Sequence, residues 1–289
     1  MRTPITYYGG KQTLAGRIVE LIPPHNLYCE PFFGGGAVFF TKPKSEVEVI
    51  NDINGEVVNF YKVIKKRQVE LEKEIKATLH SRELFKKARV VYENPEMFDE
   101  VKRAWAFWTL TNQGFAGMVT SWGFGRTPSK ERTLKKKREA FSVKEYGERL
   151  SAVQIECNDA LKVIDRCDSK DAFFYVDPPY FNSDQGHYGG YTKEDYIRLL
   201  EKLRKIKGKF LLSSYPSAEL RAYTRKYKWK STSVKKAVAV TKHTDKKKTE
   251  MMVCNYEPSK AGKFSQQTES LDGIDMRQLT RALSKLKFS

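Results

Sequence analysis

The chain is poor in the residues that build stapled or metal-held scaffolds. It has four cysteines, Cys29, Cys157, Cys167 and Cys254, and no two of them form a close CxxC pair. That spacing argues against a disulfide framework or a zinc ribbon. The four histidines, His25, His80, His187 and His243, are equally scattered and spell no metal site. No apolar run is long enough to span a bilayer. The opening residues, Met1-Arg2-Thr3-Pro4-Ile5, lack the apolar core of a secretory signal. The expectation is a soluble, cytosolic protein. Negative charge is the other shortage: 35 acidic residues stand against 53 Lys and Arg, a formal net charge of +18. Such an excess suits a polyanionic partner, most commonly nucleic acid, or else describes a solvated basic surface.

What is present reads as an α/β protein. The 289 residues suffice for one buried core, with or without an inserted subdomain. Residues 14–22 have helical spacing and stop at Pro23-Pro24. Strands are expected at 26–30, 47–50, 153–156, 172–176, 210–214 and 251–256, with helices at about 55–64 and 160–164. Strands separated by helices imply a mainly parallel, doubly wound sheet. Residues 65–145 differ: they are helical and charged, broken by a Gly/Trp/Phe loop at 114–125, and closed by Lys135-Lys136-Lys137-Arg138. Trp105 and Trp108 fall on a helix and read as core. The tail after Glu257 begins polar and ends in leucines partly at helical spacing, as a docked helix or a partner-binding one.

Three segments carry chemistry. In Glu30-Pro31-Phe32-Phe33-Gly34-Gly35-Gly36-Ala37 a strand ends at an acid and a glycine loop opens a helix. It is either a tight structural turn or a loop that lets backbone approach a nucleotide. The spacing is not GxGxxG, and no Lys-Ser/Thr follows as in a phosphate loop. A ligand with adenosine and no phosphate fits better, and S-adenosylmethionine is one. Asp52, about 20 residues beyond the loop, is placed to bond a ribose hydroxyl, or is an exposed turn residue. Asp159 is a candidate contact to the cofactor's adenine or an N-cap. The sharpest signal is Asp177-Pro178-Pro179-Tyr180, directly after an apolar strand, at the edge where such sheets hold active sites. The amine of a nucleobase is a poor nucleophile because its lone pair is delocalised into the ring. Two acceptors holding its protons draw that pair out of conjugation. The Asp177 carboxylate supplies one and the Pro178 carbonyl the other, while Tyr180 stacks on the base. Such a base must first leave the duplex.

Together these residues resemble the Dam-type family of DNA adenine-N6 methyltransferases. The match lies in Tyr7-Tyr8-Gly9-Gly10-Lys11, in Glu30-Pro31-Phe32 with Gly34 and Gly36, in Asn51-Asp52-Ile53-Asn54, and in the tetrapeptide at 177–180. Ser213-Ser214 and residues 250–256 are weaker echoes. Tyr7 stands where the family often has Trp, which keeps an aromatic wall. The resemblance implies a Rossmann-like methyltransferase fold using S-adenosylmethionine. Tyr7, Lys11, Asp52 and Asp177 then line the cofactor site, joined by Glu30, Phe32, Gly34, Gly36 and Asp159. It also implies residues 1–64 and 146–257 as the two parts of the methyltransferase, 65–145 as a target-recognition insertion, and 258–289 as a tail. The implied partner is double-stranded DNA, with a cognate restriction endonuclease as a further one, and the protein would be nucleoid-associated through DNA. In the insertion, Asn112, Gln113 and Arg126 are candidates to reach base edges. Lys130, Arg132, Lys135, Lys136, Lys137 and Arg138 would meet phosphates, unless they form a solvated face.

Overall fold

The computed structural model describes residues 1–125, 129–181, 190–237 and 247–258. Seven strands form one sheet: β1 (Leu27–Glu30), β2 (Val47–Asn51), β3 (Gln154–Glu156), β4 (Ala172–Val176), β5 (Lys209–Ser214), β6 (Lys230–Ala237) and β7 (Lys247–Cys254). Their spatial order is β3-β2-β1-β4-β5-β7-β6. The first five are parallel. β7 runs antiparallel between β5 and β6. The Rossmann order 3-2-1-4-5-6 is thus kept, with one antiparallel strand inserted. The doubly wound, Rossmann-like architecture expected from the sequence is present.

The strands are buried because both faces of the sheet are covered. Tyr28, Ile50, Phe173, Tyr175, Leu211 and Met252 point to one face. They pack with helices α1 (Ala15–Glu20), α2 (Ala37–Thr41), α3 (Gly55–Lys66) and, further out, α6 (Glu100–Gln113). Cys29, Val49, Phe174, Val176, Phe210 and Leu212 point to the other, against α9 (Ala160–Cys167), α10 (Lys193–Leu203) and α11 (Ala218–Lys226). This alternation is the period of two along each strand. The described residues between β2 and β3 add α4 (Gln68–Lys76), α5 (Arg82–Glu93), α7 (Ser129–Glu139) and α8 (Val143–Leu150) and no strand to the sheet. α6 is their hub, packing on α3, α4 and α5. Trp105 and Trp108 are buried there, as core residues. α8 is fastened to β2 by Arg149, which is bidentate to buried Glu48 and also reaches the Phe39 carbonyl.

Several boundaries differ from expectation. α1 ends at Glu20 rather than 22, and α3 continues to Lys66. β6 was not expected from the sequence at all. The tail from 259 onward lies outside the described residues. Among the described residues, no helix is long and apolar enough to cross a membrane.

Candidate active site

The site is built where the parallel strands end. β1 finishes at Glu30, and the chain turns through Gly34 (φ 48°) and Gly36 (φ 65°) into α2. Both glycines are left-handed, a conformation costly to other residues. They also leave no room: a Cβ on Gly34 would lie 2.8 Å from the Tyr7 ring, and one on Gly36 would run into the Phe33 ring. Tyr7 is therefore the aromatic wall over the loop. β2 ends in Asn51, whose buried amide donates to the Pro31 carbonyl at 2.9 Å and the Asn158 carbonyl at 3.0 Å, and accepts from the Asn158 N–H at 2.9 Å. One side chain so ties the ends of β1, β2 and β3 together. Asp52 follows. Its Oδ2 accepts from the Gly34 N–H at 2.8 Å and its Oδ1 from the Asn54 N–H at 2.9 Å. Burial pushes its carboxyl up, opposed by those two N–H groups. Asp52 thus braces the glycine loop, as a buried residue and not an exposed turn.

Asp177 leaves the end of β4 and meets Lys11. The ammonium lies 2.8 Å from each carboxylate oxygen. It is also 3.9 Å from Glu250, in β7, and 5.1 Å above the Tyr180 ring. Burial alone would lower the Lys11 pKa. The Asp177 carboxylate, with Tyr175 and Glu250, outweighs it and holds the pKa above the ordinary lysine value. Lys11 is a buried cation. The Tyr180 hydroxyl bonds Asp177 Oδ1 at 3.1 Å and Ser213 Oγ, at the end of β5, at 3.3 Å. Its ring packs on Tyr215 with centroids 4.2 Å apart. Burial raises the phenols of Tyr175 and Tyr180 well above their usual range. Glu30 is held by the Tyr28 hydroxyl, and burial pushes its carboxyl up to about 8.

These groups open into one cavity of about 1440 Å³. Tyr7, Lys11, Glu30, Phe32, Gly34, Gly36, Asp52, Asp159, Asp177, Pro178 and Tyr180 all line it. Every residue singled out in the sequence for catalysis or cofactor binding is brought to that space. Asp159 also caps α9, accepting from the N–H groups of Leu161 and Lys162. Among the lining residues not expected as site residues are Tyr175, Tyr215 and Glu250, which surround Lys11, Asp177 and Tyr180. Tyr175 was hidden in an apolar run, although the period of two from Asp177 puts it on the same face. Glu250 falls in the stretch 250–256, where it is the acid just before the apolar half of β7, Met251 to Cys254.

The basic middle region is less uniform than its composition. Gln113 is buried, its Oε1 accepting from the Ser81 N–H at 3.2 Å and its Nε2 donating to the Leu79 carbonyl at 2.8 Å. Asn112 accepts from the Thr6 N–H at 3.2 Å and donates to the Trp108 carbonyl at 3.0 Å. Both amides, expected to reach base edges, instead hold the N-terminal segment and the helix ends to α6. Lys137 turns inward to Asn112, at 2.7 Å, and to Thr6. Arg138 binds the Thr78 carbonyl and Glu131. That leaves Arg132, Lys135 and Lys136 exposed on α7, with Lys136 at the rim of the cavity. Arg126 and the Lys130 side chain lie outside the described residues. The Gly/Trp/Phe loop folds back on itself through a Gly114–Trp122 bridge, and Gly117 packs against the Thr6 carbonyl.

Known DNA methyltransferases resemble the chain over most of its length. The chain is 28% identical over 288 residues to the Type II methyltransferase M.MjaIII of Methanocaldococcus jannaschii, covering 87% of this chain and 98% of that protein. It is 29% identical over 232 residues to the Type II methyltransferase M1.LlaDCHI of Lactococcus lactis, covering 73% and 80%. It is 26% identical over 287 residues to the DNA adenine methylase of Salmonella typhi, covering 90% and 97%. Residues 7–257, from the aromatic wall to the end of the sheet, match the D12 class N6 adenine-specific DNA methyltransferases, and the chain belongs to that family.

Proposed function

We propose that the chain transfers a methyl group from S-adenosylmethionine to N6 of adenine at a specific site in double-stranded DNA, on a base turned out of the duplex. The observation that carries this reading is the opening of the glycine loop, Asp52 and the 177–180 tetrapeptide into one cavity. The lining fits the cofactor. Glu30, Asp52, Asp159 and Asp177 offer carboxyl groups to hydroxyls and to an ammonium. The glycines admit the ligand to the backbone, and Tyr7 and Phe32 give it aromatic walls. When bound, S-adenosylmethionine supplies an electrophilic sulfonium methyl for direct, in-line transfer to the amine.

The chain's own residues prepare that amine. Lys11 occupies one lone pair on each Asp177 oxygen and Tyr180 one more on Oδ1, so Oδ2 keeps an acceptor site for an amine proton. The Pro178 carbonyl takes the second proton, and no N–H at that residue competes. Ser213 and Asp177 fix the edge of the Tyr180 ring, so that it meets the base already oriented. Residues 1–64 and 146–257 form the methyltransferase in this reading. Residues 65–145 form the target-recognition insertion, a reading supported by the helices, and no strand of the sheet, among their described residues. Asp177→Ala tests the assignment. Transfer to unmethylated plasmid should fall at least about a thousandfold, a large share of what positioning supplies, while DNA affinity stays within about threefold. Wild-type turnover from that variant would refute the role.

A further inference from the structure

The end of the sheet away from the cavity carries its own concentration of cations. β5 begins there at Lys209, and β6 begins there at Lys230, opposite Cys254, the last residue of β7. α10 and α11 precede these strands, so both helices finish at the same edge, at Leu203 and Lys226. The loops that follow them, 204–208 and 227–229, meet: the Arg204 guanidinium lies 5.7 Å from the centre of the Tyr227 ring, and the Phe210 and Trp229 rings pack edge-on at 4.8 Å. Lys226 also lies over Tyr227, at 5.5 Å. Among the acids at this edge, Glu201 is held by Arg204 and the Tyr223 hydroxyl, and Glu257 by Lys230. Lys205, Lys207, Lys226 and Lys228 are all exposed and form no ion pair among the described residues. None of them lines the cavity.

The backbone that carries these lysines is fixed. Asp168 accepts from the Lys207 N–H at 2.9 and 3.0 Å and from the Gly208 N–H at 3.0 Å. Asn255 accepts from the Phe210 N–H and donates to the Gly208 carbonyl, both at 3.0 Å. α11 closes with the Lys228 N–H on the Arg225 carbonyl at 3.4 Å and the Trp229 N–H on the Thr224 carbonyl at 3.0 Å. In that closure Lys228 takes the left-handed position, φ 57°, where glycine is the usual residue because it has no Cβ to clash. A lysine there sacrifices stability that glycine would keep. Cations in the last turn of a helix answer its dipole, but Lys228 lies past the helix and Lys207 leads into a strand, so that role does not require them. We infer, on the reading of the chain as a DNA methyltransferase, that this edge is a second DNA-contact surface, which takes the phosphates of a duplex segment other than the one at the active site. Lysines on a fixed backbone suit phosphates and carry no base readout, so the contact is independent of sequence. Strands of this length set the two ends of the sheet about 17–20 Å apart, and a straight duplex at the cavity mouth does not reach round to the other end.

A bridging measurement tests it. The full chain is loaded on an immobilised duplex, and capture of a labelled second duplex is followed as salt is raised. Wild type should capture the second duplex at low salt. Combining Lys207→Gln, Lys226→Gln and Lys228→Gly should cut capture at least about fivefold and reduce the slope of log capture against log salt by up to about 3. Methyl transfer to short plasmid fragments should stay within about twofold of wild type, because the phosphates at the active site are met elsewhere. Lys228→Gly alone should melt no lower than wild type yet capture about twofold less, a loss that a purely structural lysine would not give. Thermal unfolding checks each variant, and the single one decides the question where the triple one does not fold. Capture by the folded variants equal to wild type, or no capture by wild type, would overturn the inference. So would a parallel loss of capture and of transfer to short fragments, which would put these lysines on the substrate itself. Wild-type binding to phosphatidylserine vesicles without DNA capture, abolished in the triple variant, would assign the edge to a membrane surface instead. Wild type that does not hold even the first duplex would sink the DNA reading, and this inference with it.

Discussion

Glu30 shows how much a single buried group can report. Its carboxyl is pushed up to about 8 by burial, from an ordinary 4.5, despite the Tyr28 hydroxyl and the charge of Lys42, which favour the anion. Between those values the folded protein keeps a proton that the unfolded chain releases. Stability from this group is therefore full below about pH 4.5 and is lost as pH rises through about 8. Glu30→Gln stays neutral throughout. Its thermal midpoint relative to wild type should rise from pH 5 to pH 8, by an amount equivalent to roughly a few kcal/mol. Parallel curves for the two proteins would contradict the assignment. At this scale the sequence was most legible for groups that punctuate strand ends: Lys11, Asp52 and Asp177 fall in short motifs with distinctive neighbours. Asn51 was legible as part of a motif but not as the clamp between three strands, because its partners at 31 and 158 are remote in sequence.

Among the elements, α7 separates composition from geometry. Its run of cations reads as one surface, yet a helix turns successive residues about a hundred degrees apart, and Lys137 and Arg138 face inward. Arg132, Lys135 and Lys136 remain to meet phosphates. Replacing these three with Ala should weaken DNA binding at low salt. It should also reduce the slope of log affinity against log salt by up to about 3. Lys137→Ala should leave the slope nearly unchanged and lower the melting temperature, because its bonds are to Asn112 and Thr6. A full loss of slope from Lys137→Ala alone would reverse that division. β6 is the element that sequence patterning does not disclose. Its Lys-Ser-Thr-Ser-Val-Lys-Lys-Ala run has little apolar content because it is the edge strand, and exposed edges tolerate lysine. Strands β1, β2, β4 and β5 were legible because burial on both faces demands continuous apolar residues.

For the whole molecule, the fold class followed from the alternation of strands and helices, but the sheet order did not. Nothing local in residues 247–254 says that the strand slips between β5 and β6 and runs the other way. That placement is a tertiary outcome, and it is what delivers Glu250 to Lys11. The positive charge is likewise a property of the whole chain, +18 over 289 residues, and fits the DNA substrate of the family. Three sequence-distant segments converge on one cavity, and with them the chemistry of amine methylation. That chemistry is tested most directly by incubating the protein with methyl-labelled S-adenosylmethionine and unmethylated plasmid, digesting to nucleosides and locating the label. Label is expected in N6-methyldeoxyadenosine. Label in N4-methyldeoxycytidine, or label only when RNA replaces the plasmid, would contradict it.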